Sequence, residues 1–296
     1  MSVRYWALIV FLGGLWGCSF LFNAILIREL GPFWVSAGRI SIGALGCWAY
    51  FVVMRKTLPR DLRTYGQLLV LGMMNYAIPF ALFPYAEESL ASGLVGVLNG
   101  LTPMTTVIVS QFWPGGEKAT WNKSIGVGIG FVGAAILASP SMLKGGTAEI
   151  LPVLACLLAT LCYAFTLNYA RRFKGIDSAA VASSSLTAAA LVMVPVAFLV
   201  HGMPVITRPE TWAALFAIGL LSSSLAFLLL WWLVPRVGAT NVSLNTFITP
   251  ISAILLGIVV LQERFELAYV VGIVVIFFGL VFIDGRLVRR LMPRLA

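Results

Sequence analysis

The sequence predicts an all-α integral membrane protein, with ten transmembrane helices arranged as two inverted five-helix repeats. Three observations carry this. Hydrophobic residues make up 60% of the 296 residues and charged residues only 10%, with a mean hydropathy of +0.98. A soluble domain carries about 25% charge, and a globule in water could not hide this much apolar surface, so its solvent is largely lipid. Ten apolar runs approach the roughly 20 residues that a helix needs to cross a bilayer. The second half of the chain also repeats the first, at the 146-residue offset that separates Gly126 from Gly272, give or take a residue.

The runs are 5–27, 33–54, 64–84, 90–112, 122–139, 149–170, 178–200, 211–232, 238–261 and 266–285. Span 1 follows Arg4 and is too long for a signal-peptide core, so it reads as a retained helix. Span 2 follows Pro32 and holds Arg39, the single basic residue inside a span. Span 3 carries Asn75, Tyr76 and, near its outer end, Tyr85, with Glu87 and Glu88 just beyond. Spans 4 and 9 carry polar stripes: Asn99, Thr102, Thr106 and Ser110 on one, Asn241, Asn245, Thr249 and Ser252 on the other. Both spacings keep to one helix face. Pro103 and Pro250 interrupt the stripes, and a proline inside a helix removes a backbone bond and frees a carbonyl. Spans 5 and 10 carry Gly126, Gly130, Gly133, Gly272 and Gly279, which let helices approach closely and read as scaffold.

Lysine and arginine exceed aspartate and glutamate by 20 to 11, for a formal charge of +9. With the N-terminus cytoplasmic, Arg4, Arg55, Lys56, Arg60, Arg63, Lys118, Lys123, Arg171, Arg172, Lys174, Arg236, Arg286, Arg289, Arg290 and Arg294 all fall inside. Only Arg28, Lys144, Arg208 and Arg264 fall outside. The positive-inside rule therefore expects both termini in the cytoplasm of a bacterial-type inner membrane. Basic clusters between apolar runs suit anionic lipid; no basic stripe interleaved with aromatics suggests nucleic acid. Cys18, Cys47, Cys156 and Cys162 all lie in apolar runs and read as packing residues. No phosphate loop, HExxH or Cys/His cluster is present, so neither metal nor cofactor is expected. An enzyme would need convergent titratable groups, which the sequence lacks.

The repeat pairs Asn99–Gly100–Leu101–Thr102–Pro103 with Thr246–Phe247–Ile248–Thr249–Pro250, and Phe20 and Asn23 with Phe165 and Asn168. Each half, 1–145 and 146–296, holds five spans. Five is odd, so the second half enters the membrane upside down. Inverted repeats are an architecture of transporters, whose halves rock about a site near the midplane.

Leu15–Trp16–Gly17–Cys18–Ser19–Phe20, Pro32, Arg39–Ile40, Leu101–Thr102–Pro103, Gly116–Glu117–Lys118 and Leu261–Gln262–Glu263–Arg264 together resemble the drug/metabolite transporter superfamily, in its EamA-type ten-helix exporters. The resemblance covers almost the whole chain. It implies export of small metabolites, with amino acids foremost, as in the YddG-type aromatic amino-acid exporters. The small four-helix members pair as antiparallel dimers. This chain looks like both halves fused, so the resemblance implies that a monomer suffices.

The expected cavity lies among spans 1, 3, 4, 6, 8 and 9. Asn23 and Asn168 offer amides able to hold a carboxylate or an ammonium, with interhelical bonding as the plain alternative. Trp16, Tyr76, Tyr85 and Tyr163 supply aromatic surface for a small amphipathic ligand. Asn75, Asn99, Thr102, Ser223, Asn245 and Thr249 supply polar handles. Arg39 is expected to pair with Glu87 or Glu88 as a structural or gating charge, with binding of a substrate carboxylate second. Pro103 and Pro250 are expected hinges. Glu117 and Glu263 are assigned to helix starts. No carboxylate lies near the middle of a span, which suggests facilitated movement or exchange without tight proton coupling; a proton-coupled exporter of drugs or hydrophobic cations is the alternative.

Overall fold

The computed structural model describes residues 2–143, 150–237, 242, 245–264 and 267–284. The described residues form ten apolar helices and no strand. We label them α1 (Val3–Leu26), α2 (Pro32–Val53), α3 (Leu62–Glu87), α4 (Ser92–Phe112), α5 (Trp121–Leu143), α6 (Ile150–Phe173), α7 (Ser178–His201), α8 (209–237), α9 (described from Asn245 to Val259) and α10 (Leu267–Asp284). The ten spans expected from hydropathy match these to within a few residues, except at the start of α9. Asn241 lies outside the described residues.

Helix starts follow the local chemistry. Pro32 and Pro209 open α2 and α8, where a missing N–H costs nothing. Asp61 and Asp177 cap α3 and α7 by accepting from the Arg63 and Ala179 amides. Two further caps come from the opposite half. Glu263, expected at the start of its own helix, instead accepts from the Ser92 and Gly93 amides at the head of α4, at 2.6 and 3.1 Å. Glu29, in the loop after α1, accepts from the Thr207 and Arg208 amides just before α8. The Thr207 hydroxyl above all holds the Glu29 carboxyl down to about 2. Glu117 pairs with Lys123 at 2.8 Å.

Packing obeys a pseudo-two-fold that exchanges the halves. α5 lies on α10, α2 on α7 and α4 on α9. Three further sets of contacts are mirrored: α1 with α9 and α6 with α4, α3 with α6 and α8 with α1, α3 with α7 and α8 with α2. The α5–α10 crossing is a close backbone approach on both helices. A Cβ on Gly126 would stand 2.7 Å from the Gly279 carbonyl, and one on Gly133 2.9 Å from that of Gly272. Contact this close needs glycine on both helices. α10 turns Val270, Val271, Val274 and Phe278 outward, as a lipid-facing helix does.

Three irregularities break the spans. α3 and α8 each contain a π-helical turn, Met73–Ala77 and Leu220–Leu225, at matching positions of the two repeats. α4 breaks at Gly100–Leu101, where a Cβ on Gly100 would stand 2.8 Å from the Val97 carbonyl and 3.0 Å from the Pro250 ring. Pro103 sits just after this break, in the first turn of the second segment, rather than inside a continuous helix. Pro250 does lie inside α9.

Candidate functional site

Four side chains on α3, Tyr76, Phe80, Phe83 and Glu87, follow one another at helical spacing and form a single stripe toward the middle of the bundle. Trp16, Ser19 and Asn23 form the facing stripe on α1. α2 contributes Arg39, α6 Tyr163, and α8 Ser223 and Phe227. Both repeats therefore build the cluster.

Arg39 is its centre. The side chain is 5% exposed, with Nε donating to Ser223 Oγ at 3.0 Å and Nη2 to Ser19 Oγ at 3.3 Å. Its guanidinium lies 3.6 Å from the centroid of the Phe80 ring, a cation–π contact made strong by the lack of water. This corrects the expected charge pair. Arg39 bonds hydroxyls and an aromatic face, while Glu87 lies within electrostatic reach but forms no ion pair with it. Glu88 is exposed at the helix end.

Glu87 is 8% exposed, and Asn23 Nδ2 donates to its Oε1 at 3.3 Å. The hydropathy window that ends span 3 at residue 84 left this carboxylate outside, whereas the helix carries it into the interior. Its second oxygen, Oε2, and Asn23 Oδ1 are both buried without a hydrogen-bond partner.

Aromatic rings close the cluster. Tyr76 stands edge-on to Phe227 at 5.3 Å, and Trp16 to the same ring at 5.9 Å. Phe83 contacts Phe20 at 5.8 Å and Tyr163 at 6.0 Å. Phe20, Phe80, Phe83, Ser19 and Phe227 were not among the expected site residues, although the spacing of 76, 80, 83 and 87 was available to find two of them.

The other expected residues fall elsewhere. Asn168, the repeat partner of Asn23, accepts from Ser110 Oγ at 3.1 Å and donates to the Ala164 carbonyl at 3.0 Å. Asn75 accepts from Thr166. Thr249 donates to the Gly13 and Asn245 carbonyls, so the α9 stripe is turned toward α1, with Ser252 against Gly17. Asn245 is buried in the same seam. Thr102 and Thr106 donate to carbonyls of their own helix, while Asn99 Oδ1 is buried without a partner. Thr106 and Ser110 line a cleft of about 230 Å³ with Glu117, Lys118 and Lys123. Tyr85 is exposed and points away from the cluster's aromatic contacts. Among the described residues no group of His, Cys, Asp or Glu could hold a metal.

A bundle of inverted repeats enclosing one buried cation, one buried carboxylate and a ring of aromatics is the form of a membrane transporter rather than an enzyme. The comparisons agree. The EamA-like transporter family matches twice, over residues 4–139 and 150–284, and the chain belongs to that family. It is 22% identical to the uncharacterized transporter YoaV of Bacillus subtilis over 269 residues, covering 90% of this chain and 91% of that one. It is 24% identical to a Streptantibioticus cattleyicolor protein described as "Probable terminal-alkyne amino-acid exporter", covering 89% and 87%. A solved crystal structure matches with a TM-score of 0.69 at 20% identity, over 98% of this chain and all of that one; this likeness concerns the fold.

Proposed function

We propose that this transporter exports small amphipathic metabolites, α-amino acids first, by alternating access. The moving units are the two repeats, 1–145 and 146–296, acting in one chain with both termini cytoplasmic. The observation that carries the reading is the Arg39 cluster: one polar centre, walled by aromatic rings and drawn from helices of both halves. Aromatic walls with few polar handles suit a small ligand that has an apolar body and a charged end. Polar groups shared between halves are the ones that change partners when the halves rock. The amino-acid exporter among the relatives supports the same substrate class.

The expectation of movement without proton coupling rested on spans free of carboxylates. Glu87 enclosed beside Asn23 weakens that premise and favours proton coupling as a second reading. Counterflow in liposomes tests both. Saturable, selective exchange of amino acids with no pH gradient supports a facilitative carrier. Exchange that appears only with a gradient supports coupling through Glu87. No exchange of any small metabolite by intact protein would sink the proposal.

A further inference from the structure

Arg39 and Glu87 are a guanidinium and a carboxyl group, both buried, that make no bond to each other. Arg39 has five N–H donors, and the two bonds it makes go to neutral hydroxyls. Glu87 receives one neutral amide, and its Oε2 has no donor at all. Asn23 Oδ1, on the other side of that amide, is also without a donor. Two buried acceptors without donors, on two hydrogen-bonded side chains, form a station for a group that brings several N–H donors and a positive charge. Both arrangements are costly, since the guanidinium has no anion in contact and the carboxyl oxygen has no donor.

The spacing points to what joins them. Ser19, which marks the Arg39 station, and Asn23, which marks the Glu87 station, are four residues apart on α1, about 6 Å along the axis. That offset suits a small molecule whose anionic and cationic groups sit on neighbouring atoms, with a charge-assisted hydrogen bond of about 2.8 Å at each end. On α3, Phe80 lies against Arg39, and Phe83 follows it one turn closer to Glu87; both rings are buried.

We infer that Asn23 and Glu87 form an ammonium subsite, and that the substrate is a zwitterion held between this subsite and Arg39. The inference rests on the transport reading above and adds to it the residues that hold the amino group. It assigns Glu87 to the substrate rather than to a gating pair. An uncharged metabolite or a lone organic anion would leave Glu87 unsatisfied.

The test is counterflow with purified protein in liposomes, first with a labelled mixture of the common amino acids. The amino acid taken up is then compared with its own N-acetyl and des-amino analogues as competitors. The expected result is competition by the parent that exceeds that of either analogue by about tenfold or more. Glu87→Gln keeps the shape and replaces the ionisable oxygen by an amide nitrogen that cannot accept from an ammonium. It is expected to weaken the parent by about tenfold and to erase the preference over the N-acetyl analogue, while the des-amino analogue is little changed. The discrimination among analogues by wild-type protein stands even if this variant fails to insert. Equal competition by the N-acetyl analogue, or an equal loss for parent and des-amino analogue in Glu87→Gln, overturns the ammonium subsite. Exchange of a metabolite lacking an amino group, with none for amino acids, overturns it and leaves the carrier standing. No exchange of any compound overturns both.

Discussion

Asn23 of α1 and Asn168 of α6 stand at the same place in the two repeats, yet their amides are used differently. Asn168 spends both ends on the protein, accepting from Ser110 and donating to Ala164. Asn23 spends one end on Glu87 and leaves a buried acceptor open. A duplicated position has become a fastener in one half and an unfinished bond in the other. Symmetry of the backbone therefore does not carry over to symmetry of the site. The aromatic and charged cluster leans toward the first repeat, which supplies Arg39, Phe80 and Glu87, while the second contributes Ser223, Phe227 and Tyr163.

The sharpest way to break this comparison is to truncate both amides. Asn23→Leu is expected to lower exchange per folded molecule by about tenfold or more, because Glu87 loses its donor. Asn168→Leu is expected to leave that rate nearly unchanged and instead to cost about 1–3 kcal/mol of stability, since Ser110 loses its acceptor and a buried amide is gone. Initial rates normalised to monodisperse protein, with thermal unfolding alongside, separate the two. Equal rate losses would mean that both asparagines serve the substrate.

Arg39→Lys comes next. It keeps the charge but loses the fork that reaches Ser19 and Ser223 together and the flat face that lies on Phe80. Exchange is expected to fall by about fivefold, with insertion intact. Rates equal to wild type would show that only charge matters there.

Outside the centre, Gly133→Val forces α5 away from α10 and is expected to cost about 1–3 kcal/mol, seen as a lower unfolding temperature with unchanged rate per folded molecule. The smallest effect belongs to the loops. The Asp177 carboxylate is pushed up by partial burial, but the Lys56 ammonium at 2.8 Å and the Ala179 amide outweigh that and hold it below its ordinary value. Its stabilisation is present above the ordinary carboxylate range and is lost as pH falls through the lowered value. Asp177→Asn is expected to lower the unfolding temperature by about 2 °C or less, and the difference from wild type should vanish in acid.

The spans, their repeat and the glycine seam of α5 and α10 were legible because each rests on composition or period: apolar length, a fixed offset, small residues at helical spacing. The site was legible only in part. Trp16, Tyr76, Tyr163, Asn23, Arg39 and Ser223 were identified as intramembrane polar or aromatic groups, and the structure brings them together. Phe80 and Phe83 were hidden because phenylalanine in lipid looks like any other apolar residue until Arg39 is seen on the ring. Glu87 was identified as a charge at the outer end of span 3, but its place inside the bundle was hidden because hydropathy averages end a helix at its first charge. The stripe of α9 turned toward α1 because periodicity fixes that a face exists, not which neighbour it meets. The π turns left no mark on the sequence, since they change hydrogen-bond register and not composition.

Those turns make α3 a screw with one extra residue in its thread. A π turn absorbs one residue more than the α-helical ladder around it, and each residue is about 100° of rotation. Were Met73–Ala77 kept whole but wound as a regular α ladder, that residue would no longer be absorbed. Relative to Leu68 and Leu71, which pack at the far end of the same helix, Tyr76, Phe80, Phe83 and Glu87 would swing by roughly a quarter turn and face a neighbouring helix instead of Arg39. The turn thus winds one more residue into α3 without carrying its stripe away from the helices that complete the cluster.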